Sequence, residues 1–248
     1  MTARSRALVT GGATRVGRAI AEALAEAGYD LVLHYHSSEA EARDVARLIS
    51  EQGSRVEIVR ADLADPAQIP LPFELADDVF GGLDLLVNNA AIFPRVDPRE
   101  ATDADWDKVF ALNARAPFLC AQQAARRIGA TGGAIVNIVD TGASEAWPNY
   151  IPYVASKAAL VSLTKGLAVA YAPRVRVNAV APGAVLLPDG EDDAAAHAAA
   201  SRRTVLGRVG EPADVAAAVV YLAGATFVTG EILRVDGGQH LKVRRTEG

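Results

Sequence analysis

Tyr153 and Lys157 stand four residues apart, so on a helix they share a face one turn apart. A phenol with a pKa of about 10 is mostly protonated at neutral pH, and a neighbouring ammonium favours the phenolate and eases proton transfer. Asp140 closes an apolar run thirteen residues before Tyr153 and can add a carboxyl group to the same relay. Asn113 supplies a further polar group from a helical stretch. Such a set suits general acid–base chemistry. Tyr-x-x-x-Lys alone is a common coincidence, so its weight comes from what accompanies it.

The companion is a glycine turn, Thr10-Gly11-Gly12-Ala13-Thr14-Arg15-Val16-Gly17, with a strand pattern before it and a helical pattern after. Gly11 permits the tight turn and Gly17 close helix–strand packing, while the N–H groups at the helix start face a pyrophosphate. The Gly12 to Gly17 spacing also resembles a nucleotide-triphosphate loop. Arg18 and Ala19 occupy the places where that loop needs Lys and Ser or Thr, which excludes it.

The second strand pattern ends in His34-Tyr35-His36-Ser37-Ser38, with no acid before Glu39. An acid at this place binds the ribose 2′-OH of NAD. Arg15, His36, Ser37 and Ser38 instead offer donors suited to a 2′-phosphate, so the expected cofactor is NADP(H). Ser38 also opens Ser38-Glu39-Ala40-Glu41, a capping-box spacing at a helix start.

The elements that must position these residues alternate along the chain. Apolar runs at 7–10, 31–34, 56–59, 83–87, 134–139, 175–180 and 232–235 are mostly continuous, as strands buried on both faces are. Helical patterns cover 16–27, 39–52, 103–113, 152–171 and 212–222. Three prolines in 66–72 spoil the helix expected between the third and fourth strands. The alternation predicts a single α/β domain over 1–248, a doubly wound (Rossmann) parallel sheet of about seven strands with helices on both faces. In such sheets the ligand lies at the carboxyl ends of the strands, where these residues fall.

Composition narrows the class. Half of the 248 residues are hydrophobic and 22% are charged, which excludes a disordered chain. A net charge of −5 argues against a nucleic-acid partner. The single cysteine, Cys120, lies in an apolar stretch and reads as a buried hydrophobe. Four histidines and one cysteine give no metal-ligand spacing. The N-terminus lacks a signal-peptide core, and the longest uncharged apolar run, about a dozen residues, is too short for a bilayer. A soluble, cytoplasmic protein with no membrane partner is expected.

Gly11…Gly17, Asn88-Asn89-Ala90, Asn113, Tyr153-x-x-x-Lys157 and Pro182-Gly183 together resemble the short-chain dehydrogenase/reductase family over nearly the whole chain. The resemblance implies that Asn113, Tyr153 and Lys157 are catalytic and that the protein is a homotetramer. It assigns phosphate contacts to Gly11, Thr14, Arg15, Val16 and Gly17, and places Asp62 and Leu63 at the adenine end. Asn89, Ala90, Ala91, Lys157, Pro182 and Gly183 would line the rest of the cofactor.

Two departures point further: Arg15 replaces a glycine of the usual turn, and Asp140 the usual serine. With His34-Tyr35-His36 and Asn88-Asn89-Ala90-Ala91-Ile92-Phe93, they are similar to the pteridine reductases, especially the bacterial dihydromonapterin and dihydrofolate reductases. That likeness implies substrate contacts from Arg15, Phe93, Asp140 and Tyr153, with Phe93 stacking on the pterin. Trp147 would wall the pocket or pack beneath a mobile lid over 183–205. The leading expectation is NADPH-dependent reduction of a dihydropterin through an Asp140, Tyr153 and Lys157 relay. The alternative is a carbonyl reductase of the same fold acting on an acyl-carrier or sugar ketone. A non-catalytic NADP sensor is the third reading, opposed by the intact Tyr153–Lys157 pair.

Overall fold

The computed structural model describes residues 4–185 and 194–241. Part of the expected lid, residues 186–193, lies outside the described residues.

Seven strands form one parallel sheet: β1 (Ser5–Val9), β2 (Tyr29–Tyr35), β3 (Val56–Arg60), β4 (Leu85–Asn88), β5 (Gly133–Ile138), β6 (Val175–Pro182) and β7 (Ile232–Val235). Their order is β3-β2-β1-β4-β5-β6-β7. The chain winds outward from β1 in one direction through β3, then returns to β4 on the other side of β1. Register is set by pairs such as Ala7↔Leu31 and Ala7↔Leu85.

Continuous apolar runs are required because both faces are covered. Successive side chains alternate between them: Ala7, Val9, Leu31, Leu33, Leu85 and Val87 enter one core, and Leu8, Val32 and Leu86 the other. The first core is closed by α1 (Arg15–Glu26), α2 (Glu39–Glu51) and α8 (Pro212–Gly224), through Ile20, Leu24, Val45, Ile49, Val215 and Val219. The second is closed by α3 (Leu71–Phe80), α5 (Ala116–Arg127) and α6 (Ile151–Tyr171), through Phe73, Ala121, Ala124 and Leu167. Cys120 is buried in that second core, where desolvation pushes its thiol up to about 12.

The prolines of 66–72 do not abolish the third helix. Pro70 caps α3 and Pro72 lies in its first turn, where the missing N–H has no intrahelical partner to lose. Burial of Phe73 and Ala76 then stabilises the helix. The pattern over 103–113 is also not one helix. α4 (Asp103–Phe110) ends early, and a π turn over Ala111–Arg115 leads directly into α5. Ser38 precedes α2 without making the expected side-chain cap. The remaining helix, α7 (Ala194–Arg203), follows β6.

A polar line crosses the apolar interior beneath the carboxyl ends of β4 and β5. Asn88 Nδ2 donates to Asn137 Oδ1 at 2.9 Å, and Asn137 Nδ2 donates to Thr164 Oγ1 at 2.9 Å. All three side chains are buried, so each lost partner exposes an uncompensated dipole. Asn137→Leu should therefore lower stability by about 1–3 kcal/mol, or roughly 2–4 °C of Tm per kcal/mol. Thermal unfolding checks this, and a Tm within about 1 °C of wild type would count against the line as a stabilising element.

Candidate active site

The glycine turn is held from three sides. Gly11 adopts φ 61°, a conformation that favours glycine. Its N–H donates to His34 Nδ1 at 3.1 Å, and Gly12 N–H to the His34 carbonyl at 3.0 Å. From the segment just after β4, Asn89 Nδ2 donates to the carbonyls of Thr10 and Gly11 at 3.0 and 2.9 Å. The Thr10 hydroxyl oxygen accepts from Asn89 N at 2.9 Å and Ala90 N at 3.0 Å. A Cβ at Gly17 would collide with the Gly11 carbonyl and Asn89 Nδ2, which explains glycine at the helix–turn contact. Thr14 gives α1 no side-chain cap, so its first turn presents N–H groups to the cleft.

Arg15 begins α1 with φ 52°, the one positive value at a non-glycine among the described residues. Its side chain is exposed and lines the cleft with Tyr35, His36, Ser37 and Ser38 at the end of β2. Asp62 and Leu63, after β3, line the same end, and the Asp62 carboxylate accepts from Ala64 N at 2.9 Å.

At the other end, β5 and α6 bring Asp140, Tyr153 and Lys157 together. The Tyr153 hydroxyl donates to Asp140 Oδ2 at 2.7 Å. Asp140 Oδ1 accepts from Gly142 N at 2.6 Å. Lys157 Nζ donates to the Ile138 carbonyl at 2.8 Å and lies 5.8 Å from the centre of the Tyr153 ring. Tyr153 is 7% exposed and Lys157 3%. Burial raises the Asp140 pKa above the ordinary carboxylate range, against the opposing pull of Gly142, Tyr153 and Lys157. Burial also lowers Lys157 to about 8, although Asp140 opposes it.

One electrostatic expectation is corrected. The ammonium was expected to favour the phenolate, but the Tyr153 pKa is raised well above 10 by burial and then by Asp140. The phenol is held as an acid. It is therefore placed to donate a proton, and its acceptor at rest is the carboxylate.

Asn113 reaches the site indirectly. In the π turn its Oδ1 accepts from Ile92 N at 3.0 Å, and its Nδ2 donates to the Ile92 carbonyl at 2.9 Å and to Ser156 Oγ at 3.2 Å. It thus ties the segment after β4 to the helix carrying Tyr153. Phe93, 43% exposed, stacks on Tyr150 with ring centres 4.3 Å apart and planes 4° from parallel. Its edge contact with Tyr153 is at 4.4 Å. Trp147 lines the cleft, runs within 10° of parallel to the Tyr153 ring, and donates from Nε1 to Glu145 Oε2 at 2.9 Å. Sequence reasoning missed Tyr150, Thr141, Arg203 and Gln239, all lining this end. Only the aromatic character of Tyr150, close before Tyr153, could have signalled any of them.

All these residues border one cleft of about 1000 Å³ that runs from the glycine turn past Asn89 and Ala91 to Pro182 and Gly183. Gly183 has no room for a Cβ beside Asp236. Thr141 and Gln239 line the cleft, and their buried Oγ1 and Oε1 have no protein partner among the described residues. An uncapped helix start, a glycine cradle and orphaned polar atoms fit a nicotinamide dinucleotide.

Comparison with known proteins agrees. Residues 11–240 match a family described as enoyl-(acyl carrier protein) reductase. A short-chain type dehydrogenase/reductase of Picea abies is 35% identical, over 94% of this chain and 91% of its own. 3β-Hydroxysteroid dehydrogenase 1 of Eggerthella lenta is 37% identical, over 94% and 93%. The angucycline C-6 ketoreductase LanV, solved with bound NADP, is 33% identical with a TM-score of 0.90, over 96% of each chain. None of the three is named for pterin chemistry, and the last two are named for alcohol or ketone chemistry, which fits the carbonyl alternative at least as well as the pterin reading. Fold, cleft and relatives agree that the chain belongs to the short-chain dehydrogenase/reductase family, the oxidoreductases that use a nicotinamide cofactor.

Proposed function

We propose that the chain reduces a dihydropterin to its tetrahydro form with NADPH, acting as a cytoplasmic homotetramer. The observation that carries the substrate reading is the hydrogen bond from Tyr153 to Asp140. A carboxyl group stands where a ketone reductase uses a neutral hydroxyl donor. A carboxylate there would repel the alkoxide that develops from a ketone, whereas a ring nitrogen becoming N–H needs only a proton. The bound cofactor supplies the hydride. Tyr153 delivers the proton to the substrate atom beside the reduced carbon, and Asp140, whose proton affinity burial raises, stands at 2.7 Å to relay a replacement to it. Lys157 holds a positive charge behind the pair and anchors α6 to the end of β5. Phe93, backed by Tyr150, offers an aromatic face to a flat substrate.

The second reading, reduction of a ketone, is favoured by the relatives named for alcohol and ketone substrates. NADPH oxidation with a 7,8-dihydropterin measured against a ketone panel separates the two. Asp140→Ser should suppress dihydropterin reduction at least tenfold more than any ketone activity. A strong ketone rate with no pterin rate in the wild type would transfer the assignment to the second reading.

NADPH preference rests on Arg15 and the acid-free end of β2. A charge-assisted contact contributes about 1.5–3 kcal/mol, so Arg15→Ala should narrow the NADPH-over-NADH ratio by about tenfold to a hundredfold. Equal use of both cofactors by the wild type would refute the preference.

Lys157 gives a pH signature. Its charge is lost as pH rises through about 8, so kcat/KM for reduction should fall there. Stability moves the other way. The unfolded lysine, with a pKa near 10.4, holds its proton over the window above 8, so this group makes folding more favourable as pH rises from 8 to about 10.4. A falling rate with unchanged or rising Tm over that window is the expected result. A rate flat to pH 10 would remove Lys157 from the relay.

A further inference from the structure

His34 takes no part in proton delivery, yet it is 2% exposed where two cofactor-facing turns meet. Its Nδ1 accepts from Gly11 N–H at 3.1 Å and its Nε2 lies 3.0 Å from the Ala61 carbonyl. Gly11 N–H can only donate and a carbonyl can only accept, so the proton sits on Nε2 and the tautomer is fixed. The backbone of the same residue accepts from Gly12 N–H at 3.0 Å. One residue therefore grips two successive amides of the glycine turn and, from its other edge, the residue immediately before Asp62. Gly11, His34, Asp62 and Leu63 border the same cleft.

We infer that His34 is a positioning residue for the dinucleotide, setting the spacing between the turn that faces the pyrophosphate and the turn that faces the adenine end. Aliphatic residues would fill the same volume but could not serve as acceptor and donor on opposite edges. The ring must be neutral, because an imidazolium would point an N–H at the Gly11 N–H. Burial, and to a smaller degree the charge of His36, keep it so by lowering its pKa to about 4, while the Ala61 carbonyl and Asp62 pull the other way.

The test is a fluorescence titration of NADPH, and separately NADH, into the full chain carrying His34→Leu or His34→Asn. His34→Leu should raise Kd about tenfold or more for both cofactors, with stoichiometry still near one per chain. His34→Asn, whose Oδ1 keeps the acceptor toward Gly11 but which loses the donor toward Ala61, should recover part of the loss and bind between the Leu variant and wild type. A role in folding alone would lower Tm and stoichiometry while leaving Kd of the folded fraction unchanged, and that result overturns the inference. So does an Asn variant as weak as Leu. A loss confined to NADPH also overturns it, by moving the effect to the 2′-phosphate.

Discussion

The junction of β1 with β4 governs everything at the carboxyl edge of the sheet. There the winding direction reverses, so the helices that follow β1 and β4 leave on opposite faces and a cleft opens between them. The Thr10 hydroxyl closes the junction by accepting from two successive amides of the segment after β4. Asn89 closes it in the other direction, donating to two carbonyls of the glycine turn. These four contacts make the floor of the cleft one rigid piece. Without them, the glycine-turn end and the Tyr153 end of the cleft would not keep a common frame.

Much of this was legible in the sequence, for a reason that differs between elements. Strands such as β1, β2 and β5 are read from continuous apolar runs because burial on both faces leaves no polar position. Tyr153 and Lys157 are read from a spacing that a helix converts directly into proximity. Asn113 was identified as a residue but not as a geometry, since a π turn depends on how α4 and α5 pack and leaves no local signature. The prolines before α3 misled in the opposite direction: local propensity disfavoured a helix that begins late enough to tolerate Pro72 and is stabilised by Phe73. His34 and Tyr150 act through contacts with residues distant in sequence, which a single sequence does not encode as a pattern.

The substrate question turns on a single side chain set against a broad likeness. Relatives share the fold over nearly the whole chain, a feature that is indifferent to what is reduced. On the reading proposed above, Asp140 is the point where the charge of the product matters. Overall identity therefore carries less information about the substrate than the environment of this carboxyl group, buried, bonded to Gly142 and Tyr153, and within the field of Lys157.

Arg15 carries an implication for how such a chain evolves. A left-handed backbone at a residue with a Cβ costs about 1–2 kcal/mol, which glycine would avoid. The cost is borne at the first residue of α1. An arginine there carries a folding cost that a single replacement by glycine would remove, set against what its side chain does at the cleft. Selection for thermal durability alone would favour glycine at this position and lose the charge while keeping the fold.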